Sequence, residues 1–159
     1  MEKTVFDALN EQINFEFYSG YIYLQAGLAM EKANYKGYSK WLISHYQEEL
    51  DHAKQFIDYM LKRDATPALT DIHVEPLEIS EPLDVARLVL EHEKKVTARI
   101  YKIHDISKKA DDYATEIFMH QFISEQIEEE DITKEIFDSF TLAGDSVAAK
   151  LAVDRSLEA

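Results

Sequence analysis

Glu49 and His52 stand three residues apart in the run Gln47-Glu48-Glu49-Leu50-Asp51-His52-Ala53, and that spacing puts a carboxylate and an imidazole on one face of a helix. Taken alone, such a pair is usually a solvated surface feature. This one has company. Elsewhere an apolar series stepping by three and four is interrupted by a side chain of metal-ligand type: Glu16 between Ile13 and Gly20, Glu93 between Val89 and Val96, and Gln126 with Glu129 between Phe122 and Thr133. His45 lies on the same seam as Glu49 and His52. Every interruption falls near the middle of its series, on the apolar face rather than beside it. Matched helices packed side by side therefore bring Glu16, Glu49, His52, Glu93, Gln126 and Glu129 to one level.

Each unpaired carboxylate buried at that level costs several kcal/mol, and like charges repel. Four glutamates carry four negative charges when ionised; two divalent cations cancel them, and neutral His52 and Gln126 complete the coordination. Oxygen-rich ligation with one imidazole suits iron or manganese, and zinc competes for it. A second acidic layer adjoins the first, with Glu48 next to Glu49, and Glu125 and Glu128 next to Gln126 and Glu129. Neighbouring helical positions diverge by ~100°, so this layer faces a flank. It is either a solvated surface or a third, looser cation site that passes oxidised metal toward a storage space. His45, His92, His104 and His120 read as surface or satisfied core histidines.

The elements that must position these residues are five helices. A first, residues 4–32, carries Phe6, Leu9, Ile13, Gly20, Tyr23, Gly27 and Met30 along one face. Residues 34–38, with Gly37, break it. A second, 39–63, turns Leu42, Phe56 and Tyr59 inward, and the short link makes the two antiparallel neighbours. Residues 64–81 contain Pro67 and Pro76, end against Pro82, and keep no helical period. At ~3.3 Å per extended residue this stretch can span a helix of about 28 residues rising ~1.5 Å each, which permits the third helix to run parallel to the second. Pro82 opens that third helix, where its missing N–H matters little; Ala86, Val89, Val96, Ile100 and Ile103 carry it to about Ala110. After a turn at Asp111-Asp112, a fourth helix runs from Tyr113 with Met119, Phe122, Thr133, Ile136 and Phe140 inward, and stops near Gly144. A short fifth, 146–157, uses Val147, Leu151 and Leu157 as its apolar side. The predicted class is all-α: a four-helix bundle over residues 4–142, one long crossover between helices 2 and 3, and a C-terminal fifth helix, in a single domain 1–159.

Composition agrees. A chain of 159 residues without Cys buries a sizeable core unaided by disulfides, and only 4 Gly and 3 Pro favour helix. The 17 basic residues are outnumbered by 31 acidic ones, a net charge of −14. That balance argues against a nucleic-acid partner, which needs clustered positive charge, and it favours cations, although it also describes an ordinary solvated acidic surface. No apolar run approaches the ~20 residues that cross a bilayer, and no signal peptide precedes the first amphipathic series. A cytoplasmic protein without a membrane partner is the expectation.

These residues resemble the bacterial non-haem ferritin family. The likeness rests on four stretches in register: Asn10-Glu11-Gln12-Ile13-Asn14-Phe15-Glu16-Phe17-Tyr18-Ser19, Gln47 to Ala53, His92-Glu93, and Ser124-Glu125-Gln126-Ile127-Glu128-Glu129-Glu130, with Leu142-Ala143-Gly144 matching the turn into a fifth helix. The resemblance implies that Glu16, Glu49 and His52 hold one iron, that Glu49 also bridges, and that Glu93, Gln126 and Glu129 surround a second. It assigns Glu48, Glu125, Glu128 and Glu129 to a third iron site and Tyr23 to electron transfer beside the centre. It further implies a homo-oligomeric hollow shell of twenty-four subunits with the fifth helix lining fourfold pores.

By the same resemblance the expected activity is that of a ferroxidase: Fe(II), two per subunit, is oxidised to Fe(III) by O2 or hydrogen peroxide and stored as ferric oxyhydroxide. Two departures limit the likeness. Gln121-Phe122 stands where some relatives carry a helix-four tryptophan, the only Trp being Trp41, so a relay through that position is not implied. Leu50 stands where haem-binding relatives have methionine, and neither Glu93 nor Gln126 is followed three residues on by His; no haem is expected. Rival readings are a di-iron oxygenase, which needs an apolar substrate pocket beside the metals, a metal-free helical binding module, which leaves the glutamates uncompensated, and a mini-ferritin with sites between subunits.

Overall fold

The computed structural model describes residues 1–158. Five helices follow in order: α1 (Lys3–Lys32), α2 (Lys36–Lys62), α3 (Pro82–Lys109), α4 (Tyr113–Ala143) and α5 (Val147–Ser156). α1 packs along α2 and α3 along α4, α1 also faces α3, and α5 rests on α2 and α4. Contacts give the directions. Gly20 lies against Tyr46 and Glu49 while Gly27 lies against Ile43 and Ser39, so α1 and α2 are antiparallel. Tyr23 meets Glu93 and Gln12 meets Arg99, so α1 is antiparallel to α3 as well. α2 and α3 are therefore parallel, and the crossover between them runs the length of the bundle.

Three helices end by the same device. Asn34, Asp64 and Asp111, each just past a C-cap, have φ of 66°, 55° and 51°, the left-handed region that Asn and Asp tolerate better than most side chains. The following amides of Tyr35, Ala65 and Asp112 reach back to the carbonyls of Met30, Met60 and Ser107 at 2.9–3.0 Å, the bond pattern that satisfies terminal carbonyls. α4 ends at Gly144, as its glycine suggests (φ 55°). Asp112 caps α4 by accepting from Thr115 N at 3.1 Å, and Arg63 donates to both Asp112 oxygens at 2.9 and 3.2 Å.

α2 begins at Lys36, three residues before the expected start, and Gly37 lies inside its first turn. The reason is tertiary. A Cβ at residue 37 would stand 2.0 Å from the Asp154 carbonyl oxygen, so the glycine serves the close approach of α5 and the chain break falls at Ala33–Tyr35. Asp154, only 5% exposed, accepts from Tyr38 N at 2.8 Å and so satisfies one of the free amides at the positive end of α2. Val147, expected on the apolar side of α5, is 64% exposed.

The crossover is tied to α1 by two asparagines one turn apart. Asn10 Oδ1 accepts from Ala68 N at 2.7 Å, Asn14 Oδ1 from Thr70 N at 2.8 Å, and Asn14 Nδ2 donates to Ala68 O at 3.0 Å. The backbone of this extended stretch thus finds partners that a lone loop lacks.

The hydrophobic core is in two pieces. One gathers Leu9, Ile13, Phe56, Ile100, Met119 and Phe122; the other gathers Tyr23, Met30, Leu42, Val89, Ile136 and Phe140. In every long helix the gap between the pieces falls at the polar interruptions, residues 16, 49, 93 and 126.

Candidate metal centre

Glu16, Glu49, Glu93 and Gln126 are all buried in that gap, with Glu16 1% and Glu93 2% exposed. His52 and Glu129 are nearly so, their side chains 13% and 14% exposed. Glu16, Glu49 and His52 each offer one ligand atom within 4.8 Å of the others. His52 Nδ1 stands 3.2 Å from Glu49 Oε2, and its Nε2 stands 3.0 Å from Glu125 Oε1. On the other side Tyr23 donates its hydroxyl to Glu93 Oε1 at 2.5 Å. Gln126 Nε2 donates to Glu93 Oε2 at 3.0 Å and to Thr97 Oγ1 at 3.1 Å. The two halves feel one another: the Glu93 charge raises the pKa of Glu49, and the charges of Glu129 and Glu16 raise that of Glu93.

Burial dominates the electrostatics. It holds the Glu16 carboxyl well above the usual carboxylate range, with the neighbouring Glu49 adding to the effect. Burial also raises Glu49, against the hydrogen bond from His52. Glu93 is pushed up to about 7 by burial, although Tyr23 and Gln126 pull it down. For His52 burial disfavours the charge, yet the hydrogen bonds with Glu125 and Glu49 and the field of Glu16 outweigh it and push the imidazole up to about 11. Glu125 is lowered in return by the His52 hydrogen bond.

Two carboxylate oxygens, Glu16 Oε2 and Glu129 Oε2, are buried without a hydrogen-bond partner. Glu129 Oε2 does lie 3.3 Å from His45 Nε2, but without the alignment of a hydrogen bond. Buried acceptors left without donors are costly, and bound cations remove that cost. The donor set of carboxylate oxygens, one amide and one imidazole fits hard to borderline divalent ions.

The flanking acidic layer divides. Glu125 pairs with His52, while Glu48 and Glu129 gather around His45, ligand atoms of these three lying within 4.8 Å of one another. Glu128 is exposed and lines a surface hollow with Leu90, Lys94, Ile127 and Lys134. His45, expected at the surface or as a satisfied core histidine, is buried. Its Nδ1 hydrogen goes to the Trp41 carbonyl oxygen at 3.2 Å, leaving Nε2 toward the carboxylates; the sequence signal was Glu48 three residues on.

Two further side chains were not singled out. Gln12 donates to Glu16 Oε1 at 2.8 Å and accepts from Arg99 Nε at 3.0 Å, so a buried chain of hydrogen bonds fixes one Glu16 oxygen and leaves the other free. Gln12 sits four residues before Glu16, a spacing that could have revealed it.

Comparison with known proteins agrees with this geometry. The ferritin-like domain family matches residues 6–143. The bacterial non-heme ferritin of Bacteroides fragilis is 35% identical over 140 residues, 88% of this chain and 88% of that one. That of Staphylococcus saprophyticus is 32% identical over 159 residues, 100% of this chain and 95% of its own. Among solved structures, an open pore ferritin from the hyperthermophilic archaeon Archaeoglobus fulgidus superposes with a TM-score of 0.97 at 34% identity, covering 99% of this chain and 98% of that one. With five helices, a core parted by buried carboxylates, and these relatives along its whole length, the chain belongs to the ferritin-like family, among the bacterial-type non-haem ferritins.

Proposed function

We propose that this chain stores iron, and that it does so by oxidising Fe(II) at the mid-bundle centre before the product is laid down as ferric oxyhydroxide inside a hollow homo-oligomeric shell. The observation that carries the reading is the polar layer itself: Glu16, Glu49, Glu93 and Glu129 converge between two halves of the core, and two of their oxygens have no donor. Fe(II) is the substrate. Glu16, Glu49 and His52 would take one ion and Glu93, Gln126 and Glu129 a second, with Glu49 between them. Carboxylates favour the harder, more charged ion, so this ligation lowers the reduction potential and makes Fe(III) easier to reach.

The electron balance needs an acceptor of two electrons from each iron pair. O2 takes two electrons and two protons to become hydrogen peroxide, and hydrogen peroxide takes two of each to become water. Tyr23, whose hydroxyl rests on Glu93, would pass an electron at that side of the centre. Glu48, Glu129, Glu125 and Glu128, with His45, would receive the oxidised ion on its way out, and Gln126, a neutral and weak ligand, lets it go.

Size-exclusion chromatography during aerobic Fe(II) addition tests the reading. A particle of many chains that oxidises far more than two irons per chain supports storage. A monomer or dimer that holds two and stops supports a di-iron oxygenase instead. Glu49→Ala with His52→Ala should slow the initial oxidation steeply, and an unchanged rate would remove the assignment.

A further inference from the structure

We propose that His104, Glu116 and His120 form a second metal site, at the end of the α3–α4 pair, that takes a borderline divalent ion of the zinc class. This inference does not rest on the iron reading of the central site. His104 comes from the last turns of α3, and Glu116 and His120, four residues apart on one face, from the first turns of α4. One ligand atom of each lies within 4.8 Å of the other two. A tetrahedral ion with bonds of about 2.0–2.1 Å holds its ligands about 3.4 Å apart, a closing that small side-chain rotations supply. The two imidazoles already face one another, centroids 5.6 Å apart and planes inclined by 31°.

A carboxylate also stands near the second ring nitrogen of His104. Nε2 is 3.8 Å from Glu116 Oε1, and Nδ1, on the opposite side, is 3.8 Å from Asp105 Oδ1. Ligating imidazoles characteristically give their other N–H to a carboxylate, which fixes the tautomer and orients the ring. Asp105 Oδ1, at 3.8 Å and exposed, is beyond hydrogen-bond distance, and a small side-chain rotation would bring it to that contact. Among the described residues, Glu116 has no Lys or Arg ion-pair partner to compete for it. The His104 and Glu116 side chains are 22% and 25% exposed and His120 is exposed, so water completes the coordination and the ion arrives without opening the core.

The two sites differ in chemistry and place. Eleven residues of α3 separate His104 from Glu93, about 16 Å along the helix axis. Two imidazoles and one carboxylate make a nitrogen-rich set that prefers Zn(II) or Cu(II) to Fe(II), whereas the central set is rich in oxygen. A bound ion would also join the end of α3 to the start of α4 across the turn at Ala110–Asp112.

Zn(II) titration of the metal-free chain against a chromophoric chelator tests this. His104→Gln with His120→Gln should bind one zinc fewer per chain than the wild type, and the same loss should appear when the central ligands are removed by Glu49→Ala and His52→Ala. In that last background, Cu(II) should give an electron paramagnetic resonance spectrum with coupling to two imidazole nitrogens, reduced to one by His104→Gln alone. Equal zinc stoichiometry with and without the two histidines, or copper coupling unaffected by His104→Gln, would overturn the proposal. Helical circular dichroism identical to wild type, required of each variant, distinguishes lost ligands from lost fold.

Discussion

A buried carboxylate can be neutralised by a proton or by a cation, and at the mid-bundle level the two compete. Burial raises Glu16 and Glu49 and pushes Glu93 up to about 7, while its carboxylate neighbours hold His52 charged up to about 11. Before a cation binds, protons therefore occupy this layer. Uptake of Zn(II) or Fe(II) near pH 6.5 is expected to release at least one proton per chain, read by calorimetry in buffers of different ionisation enthalpy; heats independent of the buffer would contradict it. The same shifts set the stability of the metal-free chain. Groups with folded pKa values raised above the unfolded ones stabilise fully below the unfolded value and lose that contribution as pH rises through the folded one. For Glu93 the window runs from about 4.5 to about 7, and for His52 from about 6.5 to about 11. His92, held down at about 4 by burial and the Lys95 charge, acts oppositely, gaining stability between about 4 and about 6.5. Above pH 6.5 only the losses remain, so denaturant midpoints of chelator-treated protein should fall from there upward. Glu93→Gln should flatten the part of the slope near pH 7, each pKa unit being worth about 1.4 kcal/mol.

At the scale of elements, the docking of α5 depends on a single missing methyl group. Gly37→Ala drives a carbon to 2.0 Å from the Asp154 carbonyl oxygen, backbone that cannot turn aside as a side chain would. The expected result is a loosened α5, cut by protease near Gly144 while the four long helices survive, with a lower melting temperature. Asn10→Ala with Asn14→Ala should separately free the crossover at about 1 kcal/mol for each bond lost, seen as fast amide exchange at Ala68 and Thr70. These two features also mark how far the sequence could be read. The four seams and their interruptions were legible because helical period and burial are local consequences of residue type; Glu16, Glu49, Glu93 and Gln126 fall at the break in the core where the spacing put them. The stop at Asp111, with a residue that tolerates the left-handed region, was equally local. Gly37 was misread as a helix breaker because its reason is a contact with Asp154, far along the chain. His45 lies on the same seam with Glu48 as its local signal, but the approach of its Nε2 to Glu129 depends on how α4 packs against α2 and is not local.

For the whole molecule, the polar layer sacrifices stability to hold a charge cluster, and the exposed apolar side chains bear on the proposed assembly. Replacing a buried charged cluster by apolar side chains of similar volume is often neutral or stabilising by about 1–4 kcal/mol. Glu16→Met, Glu49→Met and Glu93→Met together should thus join the two halves of the core, leave the melting temperature of the metal-free chain unchanged or higher, and abolish Fe(II) oxidation. A strongly destabilised variant would mean that the layer is held by its own hydrogen bonds rather than waiting for cations. The outer face poses the complementary question. Tyr21 and Leu28, seven residues apart on α1, are 45% and 56% exposed, and Ile43 on α2, which packs against Gly27, is 38% exposed. With a net charge of −14 on each chain, copies repel at long range, so assembly requires apolar contact of this kind and is favoured by salt screening. If the shell has twenty-four subunits, as proposed from the family resemblance, native mass spectrometry should give a particle twenty-four times the 18.4 kDa chain. Leu28→Glu, which adds charge to the apolar face without touching the core, should shift the population toward small species at low ionic strength and leave the initial Fe(II) oxidation rate per chain intact. Loss of that rate together with the particle would place part of the oxidation centre between subunits, contrary to the single-chain centre described above.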